Sequence, residues 1–406
     1  MGEIRKFRGR KSKEDFDDYE EDNTGKQDFE HRIHRHRLRR FYVAAIVCVI
    51  IVAVIVICIL SAESKIYTSV KVTEEISWSD NSGLDILQIG NNLLTYSKDG
   101  AVCSSLGGKA LWNKTFEMQN PLVKVRGEYA AIGDYNGTTI YVVNSDGVLG
   151  EIDTTLPIKA VDVSGKGTVI AVVDDNPVTW IYLYSKEGKL LLYAKTSMSD
   201  YGYPVDVTLS DDSGMLAVSY VYTDGGDVAS RVAFYNLQDV GDNYQDNLVS
   251  AFSYVDAVVP MIRFLDSENF FAVADNRFML YSGQQIPTTT KEILLIENVR
   301  NVVYGNGYVG LIYLNTDGNG KYRMEVYDVK GNQVGKYFFD RDYSDILMCN
   351  EMIYIYDAGG LEIYNMKGTL KFSGEFGMSV SCLIPGESRD HLTLVGKTKI
   401  QSVILK

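Results

Sequence analysis

"VYDVKGNQVGKY", Val326 to Tyr337, and "IYNMKGTLKF", Ile363 to Phe372, are near twins. Each joins an alternating apolar run to a short polar turn centred on Gly and then to a second run. Looser copies stand at "LYSKEGKLLLY" (Leu183–Tyr193), "VVNSDGVLGEI" (Val142–Ile152) and "CSSLGGKALW" (Cys103–Trp112). Alternation with period two describes a strand with one buried face, and a Gly-centred polar turn between two such runs describes a hairpin. A second kind of run precedes each hairpin: "GTVIAVVDD" (Gly167–Asp175), "GMLAVSYV" (Gly214–Val221) and "NFFAVADN" (Asn269–Asn276), with "EYAAIGDY" (Glu128–Tyr135), "GYVGLIYL" (Gly307–Leu314) and "EMIYIYDA" (Glu351–Ala358) in the same place elsewhere.

The first strand of each unit is placed near Leu84, Pro121, Pro157, Tyr203, Ala257, Arg300, Tyr343 and Met378, so the units recur every 35 to 54 residues. Four-stranded units of that period are the signature of a β-propeller, and eight units fit the chain, with seven as the alternative count. The last unit supplies three strands only: "SVSCLIPG", "HLTLVGK" and "IQSVILK". Ile66–Trp78, which lies before the first unit, is expected to supply the missing outer strand and close the ring, with Val70, Val72 and Ile76 on its apolar face. The expected fold is thus all-β. The 28 Tyr among 406 residues suit it, because Tyr packs its ring on a half-buried sheet and leaves its hydroxyl at water.

Ahead of the repeats lies "FYVAAIVCVIIVAVIVICILS", residues 41–61, without a charge. As a helix it would span about 30 Å, the thickness of a bilayer's hydrocarbon core. Arg32, Arg35, Arg37, Arg39 and Arg40 precede it, while Glu63 and Lys65 follow, so the positive-inside rule keeps the N-terminus cytoplasmic and exports residues 65–406. A retained single-pass signal anchor in the cell membrane is expected, with the lipid bilayer as its partner; Ala62-Glu63-Ser64 offers cleavage as the alternative. Residues 1–40 alternate basic and acidic blocks without an apolar face and read as a disordered cytoplasmic tail.

Charge narrows the function. The net charge is −13; the tail carries +2 and the exported part −15, a balance that repels phosphate backbones, so no nucleic-acid partner is expected. The motifs that suggest chemistry lack its context. "GNGYVG" (Gly305–Gly310) has the letters of a dinucleotide fingerprint but lies between two strands, where Asn306-Gly307 forms a hairpin turn. "NTDGNG" (Asn315–Gly320) opens like a calcium loop but has Val326 where the bidentate Glu belongs, so a polar hairpin tip is expected. Asp211 and Asp212 read as turn formers. His391 is the single histidine after the apolar segment, which makes multi-His metal sites and charge relays hard to build. Cys103, Cys349 and Cys382 form no CxxC pair and leave room for at most one disulfide among them. Asn113-Lys-Thr and Asn136-Gly-Thr fit the N-glycosylation pattern. No catalytic residue, cofactor or metal is therefore expected.

Within "GAVCSSLGGKALWNKTF" (Gly100–Phe116), Gly108, Lys109 and Trp112 resemble the quinoprotein-type propeller repeat, a strand followed by Gly-Lys-x-x-Trp, as in blades related to the WD40 kind. Tyr193 and Phe338 stand near the corresponding place in other units. The whole layout, a charged tail, one span and a Tyr-rich propeller, resembles an uncharacterised domain-of-unknown-function family of clostridia-like Gram-positive bacteria; the resemblance implies location and fold. The expected function is a membrane-anchored binding or scaffold module for a protein, peptide or envelope glycan. An enzyme of the hydrolase, lyase or quinoprotein kind at the central channel, or a transmembrane sensor, is the alternative. Converging His, Arg and carboxylates at the channel would favour the enzyme, and an exposed aromatic patch on a rim would favour binding.

Overall fold

The repeated hairpin turns out to be one device used four times. Ser105, Ser185, Asp328 and Asn365 each accept, through a side-chain oxygen, the N–H of the residue four positions on, at 3.3, 3.3, 2.9 and 2.8 Å. The N–H of the residue three positions on, Gly108, Gly188, Gly331 or Gly368, donates to the carbonyl of the same capping residue. These glycines have φ between +75° and +86°, the left-handed region in which a Cβ is strained. That requirement is why Gly recurs at the same point of these four hairpins.

In a computed structural model, residues 38, 40–55, 65–78, 80–198 and 201–406 are described. Among them, residues 66–406 form one unit of eight four-stranded antiparallel sheets, the blades of a β-propeller. Numbered in chain order, the blades begin at Asp85, Pro121, Ile158, Tyr203, Met261, Asn301, Asp345 and Cys382. Each start falls within four residues of its expected place. In the first seven blades the strands follow one another in chain order from channel to rim. The second strands are the most buried; Met352–Tyr356 is buried at every position. Outer strands such as Ala110–Thr115 are largely exposed.

Blade 8 is the composite one. Cys382–Pro385, His391–Val395 and Lys399–Leu405 are joined on the outside by Val70–Ser77, paired antiparallel from Val70↔Leu405 to Ser77↔Lys399. The chain reaches it through Tyr67, whose N–H donates to Lys371 O at 2.7 Å, and Thr68, whose N–H donates to Lys406 O at 2.6 Å. One expectation fails in detail: Val72 is exposed. A bulge between Val72 and Glu74 breaks the alternation, so Val70 and Ile76 are half-buried and the middle of the strand faces water.

The core is distributed. Eight clusters of buried apolar residues are found among the described residues, one between each pair of adjacent blades. The smallest, Leu93, Ile384, Val395 and Ile400, seals blade 8 against blade 1.

The described part of residues 1–65, a separate unit, is helical at residues 38 and 40–55. Its large apolar side chains are exposed on every side of the helix, Phe41 and Ile55 included. Among the described residues no helix is long and apolar enough to cross a membrane. Residues 56–61 of the expected span, and the tail 1–37 with Arg32, Arg35 and Arg37, lie outside the described residues, as does Arg39; Arg40 is an exposed helical residue.

Candidate functional site

The first strands of blades 2 to 6 surround a cavity of 460 Å³ at the centre of the ring. An apolar strand that turns one residue toward a channel can place a charge there, and four blades do so. From blade 2, the Arg126 guanidinium donates to Asp162 Oδ2 of blade 3 at 3.3 Å and to Thr208 Oγ1 of blade 4 at 3.2 Å, and it also bonds the Leu209 carbonyl. Asp162 Oδ2 is further held by the Thr208 hydroxyl at 2.9 Å and the Leu209 N–H at 3.2 Å. From blade 5, Arg263 bonds Asp206 of blade 4, which also accepts the Ile262 N–H at 2.8 Å. Burial pushes the Asp206 carboxyl above the ordinary carboxylate range, against the pull of Arg263 and the Ile262 N–H.

These pairs stitch neighbouring blades together across the channel wall. Each guanidinium already faces a carboxylate, and the lining balances Lys124, Arg126, Lys159 and Arg263 against Asp162, Asp206, Asp211 and Asp266. Asp211, expected as a turn former, also faces Arg126 at 3.5 Å, whereas Asp212 does cap its turn, accepting the Gly214 N–H at 3.0 Å. A buried charge with a buried partner holds geometry; it offers little to an incoming substrate.

His391 lies elsewhere, exposed in blade 8. Its Nδ1 faces both the Ser388 hydroxyl and, at 3.0 Å, Asp390 Oδ1. A Ser-His-Asp relay needs the serine and the carboxylate on opposite ring nitrogens, and here they share one. Among the described residues no three His, Cys, Asp or Glu side chains gather as a metal site, and Cys103, Cys349 and Cys382 are free thiols. Gly305–Gly310 is the expected hairpin, with Gly305 paired to Tyr308 and with Asn306 and Gly307 both at positive φ. Asn315–Gly320 joins two strands of blade 6. Asn113 lies on the outer strand of blade 1, and Asn136, in a turn, accepts a hydrogen bond from Lys159 Nζ at 2.8 Å.

The rim holds a different surface. The outer strand of blade 3, Leu190–Ser197, exposes Leu190, Leu191, Leu192 and Tyr193 in succession, with Leu191 at 53% and Tyr193 at 61% exposure. No other strand among the described residues exposes four large apolar residues in a row. Tyr193 stands 5.8 Å from Trp180 and 6.4 Å from Tyr182, ring centre to ring centre, on the neighbouring strand Val178–Tyr184. Tyr182 meets Tyr184 edge-on at 6.0 Å. Beside this cluster a cavity of 360 Å³ opens between blades 3 and 4, walled by Leu192, Tyr201, Tyr220 and Tyr235 among others. The hydroxyls of Tyr220 and Tyr235 share a 2.9 Å hydrogen bond, and burial pushes Tyr235 up to about 12, so it stays neutral.

The reason for that cavity is legible in the repeated hairpin. Trp112 pairs with Cys103, just before the bulge of blade 1, and its Nε1–H donates to Asn144 O of blade 2 at 2.9 Å. It fills the groove between those blades. The equivalent pair in blade 3, again just before the bulge, is Leu183↔Leu192. Leu192 therefore stands where Trp112 does and is too short to fill the groove. Tyr193, one residue on, points to the other face of the sheet.

Comparison with solved structures bears out the fold. BamB from Moraxella catarrhalis shares 13% identity over 83% of this chain and 100% of its own, with a TM-score of 0.50. Sqt1 from Chaetomium thermophilum shares 12% identity over 83% of this chain and 100% of its own, with a TM-score of 0.53. At such identities the likeness is one of fold alone. No curated protein matches the sequence. The family of unknown function DUF5711 matches residues 63–405, almost all of the chain that follows the apolar segment, and the protein is a member of that family.

Proposed function

We propose that this chain is a membrane-anchored, extracytoplasmic binding and scaffold propeller, and that it holds a protein partner on the rim of blade 3. The observation that carries this reading is the exposed run Leu190–Tyr193, its Tyr193 ring set against the half-buried Trp180 and Tyr182, beside the tyrosine-walled cavity. Large aromatic residues concentrate binding energy when a partner dries them, and a soluble monomer seldom leaves such a patch open. The channel supports catalysis less well, since its arginines are engaged with carboxylates of the wall. Anchoring is supported by the uncharged stretch 41–61, by the five arginines ahead of it and by the all-round apolar exposure of helical residues 40–55.

The experiment is photo-crosslinking in living cells. A benzophenone amino acid placed at Tyr193 in the full-length chain is expected to capture a discrete protein, and the capture is expected to disappear when Leu191→Lys is added. The same probe at Lys291, an exposed residue on the outer strand of blade 5, is expected to capture nothing. Equal capture from both positions, or none from Tyr193, would remove the reading.

A further inference from the structure

We infer that the partner of blade 3 is an extended peptide segment that adds as a fifth strand along Leu190–Lys195 and seats one aromatic side chain in the cavity beside it. The inference deepens the proposed binding role and rests on it.

Three independent observations lead there. The first is the strand edge. Leu190–Ser197 is the last strand of its sheet, so its outer row of N–H and C=O groups faces no neighbouring strand. Every blade has such an edge, and proteins blunt these edges with charges or bulges that discourage pairing. Lys71, Glu74 and Glu75 sit on the outer strand of blade 8, and Lys291 and Glu292 on that of blade 5. The run Leu190–Tyr193 carries no charge; Lys195 is the one charge on its strand, and the bulge at Leu191 is shared with the outer strands of blades 1, 2 and 4 to 7.

The second is where the cavity touches the strand. Its walls include Leu192, Tyr193, Ala194 and Lys195, four consecutive residues. Side chains of consecutive strand residues point to opposite faces, so a cavity lined by all four meets the backbone edge itself as well as one face. A segment hydrogen-bonded to that edge would carry alternate side chains directly over the opening. This is the geometry of strand addition, in which the main chain supplies affinity and a pocket for alternate side chains supplies specificity.

The third is the identity of the missing group. Trp112 fills the corresponding groove of blade 1 from within and donates to a carbonyl of blade 2. Leu192 leaves that volume open in blade 3, and the cavity's 360 Å³ is walled mostly by apolar and tyrosine residues, including the hydrogen-bonded Tyr220–Tyr235 pair, with Lys195, Asp246 and Asn247 beside them. An aromatic side chain of the partner restores what the blade's own repeat lacks. Charge then sets the flanks. The hairpin from Leu183 to Ser197 carries Lys186, Lys189 and Lys195 against Glu187, a basic spot on an exported part whose balance is −15. Lys195 and Asp246 both line the cavity, so their charges offset and an uncharged side chain suits it. The fitting segment therefore has an aromatic residue at its centre, apolar residues two positions to either side, and acidic residues at its ends.

The test is selection of a random-peptide display library on the full-length chain in lipid nanodiscs, with the Leu192→Trp chain used for counter-selection. Enriched peptides are expected to share the aromatic centre and acidic flanks. The best of them, synthesised, should bind the wild-type chain and lose at least about ten-fold in affinity against Leu192→Trp, which fills the cavity from within, and against Tyr193→Lys, which guards the edge with a charge. Both variants change exposed residues, and an unchanged melting temperature verifies that they are folded. The same peptide N-methylated at alternate residues, which removes the donors of one edge, should lose binding as well. An unenriched library would overturn the inference. So would equal binding by Leu192→Trp, or by the N-methylated peptide. A self-association of the chain that Tyr193→Lys abolishes, with no peptide enriched, would assign the edge to a second copy and overturn it too. If a protein is crosslinked at Tyr193 while the library stays empty, the binding role stands and strand addition alone falls.

Discussion

Trp78 Nε1–H donates a 3.0 Å hydrogen bond to the carbonyl oxygen of Gly396, 318 positions away in the chain. With Val70–Ser77 paired to Lys399–Leu405, it fastens the start of the propeller to its end. Two covalently distant edges are thereby removed from solvent, and every blade gains two neighbours. Trp78→Phe keeps most of the packing and deletes the donor; it should cost about 1 kcal/mol, read from chemical denaturation of the full-length chain. A chain that starts at Asn81 should aggregate or melt far below the full-length one. Equal melting would refute closure by this strand.

The Asp328 cap of the founding hairpin should titrate. Burial alone would raise its carboxyl, but the Asn332 side chain and the backbone N–H groups of Asn332 and Lys330 outweigh it and hold the carboxyl below the ordinary range. A carboxylate whose folded-state pKa is depressed adds stability above its unfolded value, about pH 4, and that stability is lost as pH falls through the folded value. Asp328→Asn keeps a capping oxygen, as Asn365 does in blade 7, and removes the titration. The wild-type chain should lead the variant in melting temperature at pH 7, and the lead should vanish below about pH 3. Asp328→Ala should cost about 1 kcal/mol at neutral pH.

The thiols of the propeller should be slow. Burial pushes Cys103 to about 11 and Cys382 to about 12, and it raises Cys349 as well. Alkylation requires the thiolate. At pH 8 the folded chain should therefore leave these three unmodified by iodoacetamide over a time that modifies all of them in denaturant, as peptide mass spectrometry would read. Rapid native modification of Cys382 would contradict the desolvation of its thiol.

Much of this architecture is legible from residue order because a propeller writes its unit repeatedly. The Gly of each hairpin and the apolar second strand are local signals with local causes, and they place the blade starts closely. Val72 is the exception, since a bulge is one extra residue that alternation cannot announce. The channel is another matter. Arg126, Asp162, Asp206 and Arg263 come from four blades, and each looks in sequence like one polar residue in a strand; only the ring brings them together. The rim lies between these cases. "LLLY" breaks alternation visibly at Leu190–Tyr193, yet the cavity beside it emerges only once Leu192 is aligned with Trp112 by strand register.

The proposed topology rests on the arginines at 32, 35, 37, 39 and 40. In intact cells, cysteines introduced between residues 5 and 30 should resist an impermeant maleimide, while one at Ser388, in an exposed loop of the propeller, should react. Replacing all five arginines with neutral residues should give a mixed population. Outside labelling of the tail in the wild-type chain would reverse the orientation.

On the proposed reading, the rim of blade 3, and not the channel, carries the function. The direct measurement is retention of the crosslinked partner by purified full-length chain, compared between a rim variant and a channel variant. Tyr193→Lys should weaken retention at least about ten-fold, equivalent to 1.4 kcal/mol, while Lys124→Ala, on the channel wall, should leave it unchanged. Loss of the partner with Lys124→Ala and its retention with Tyr193→Lys would contradict the account and move the function to the channel.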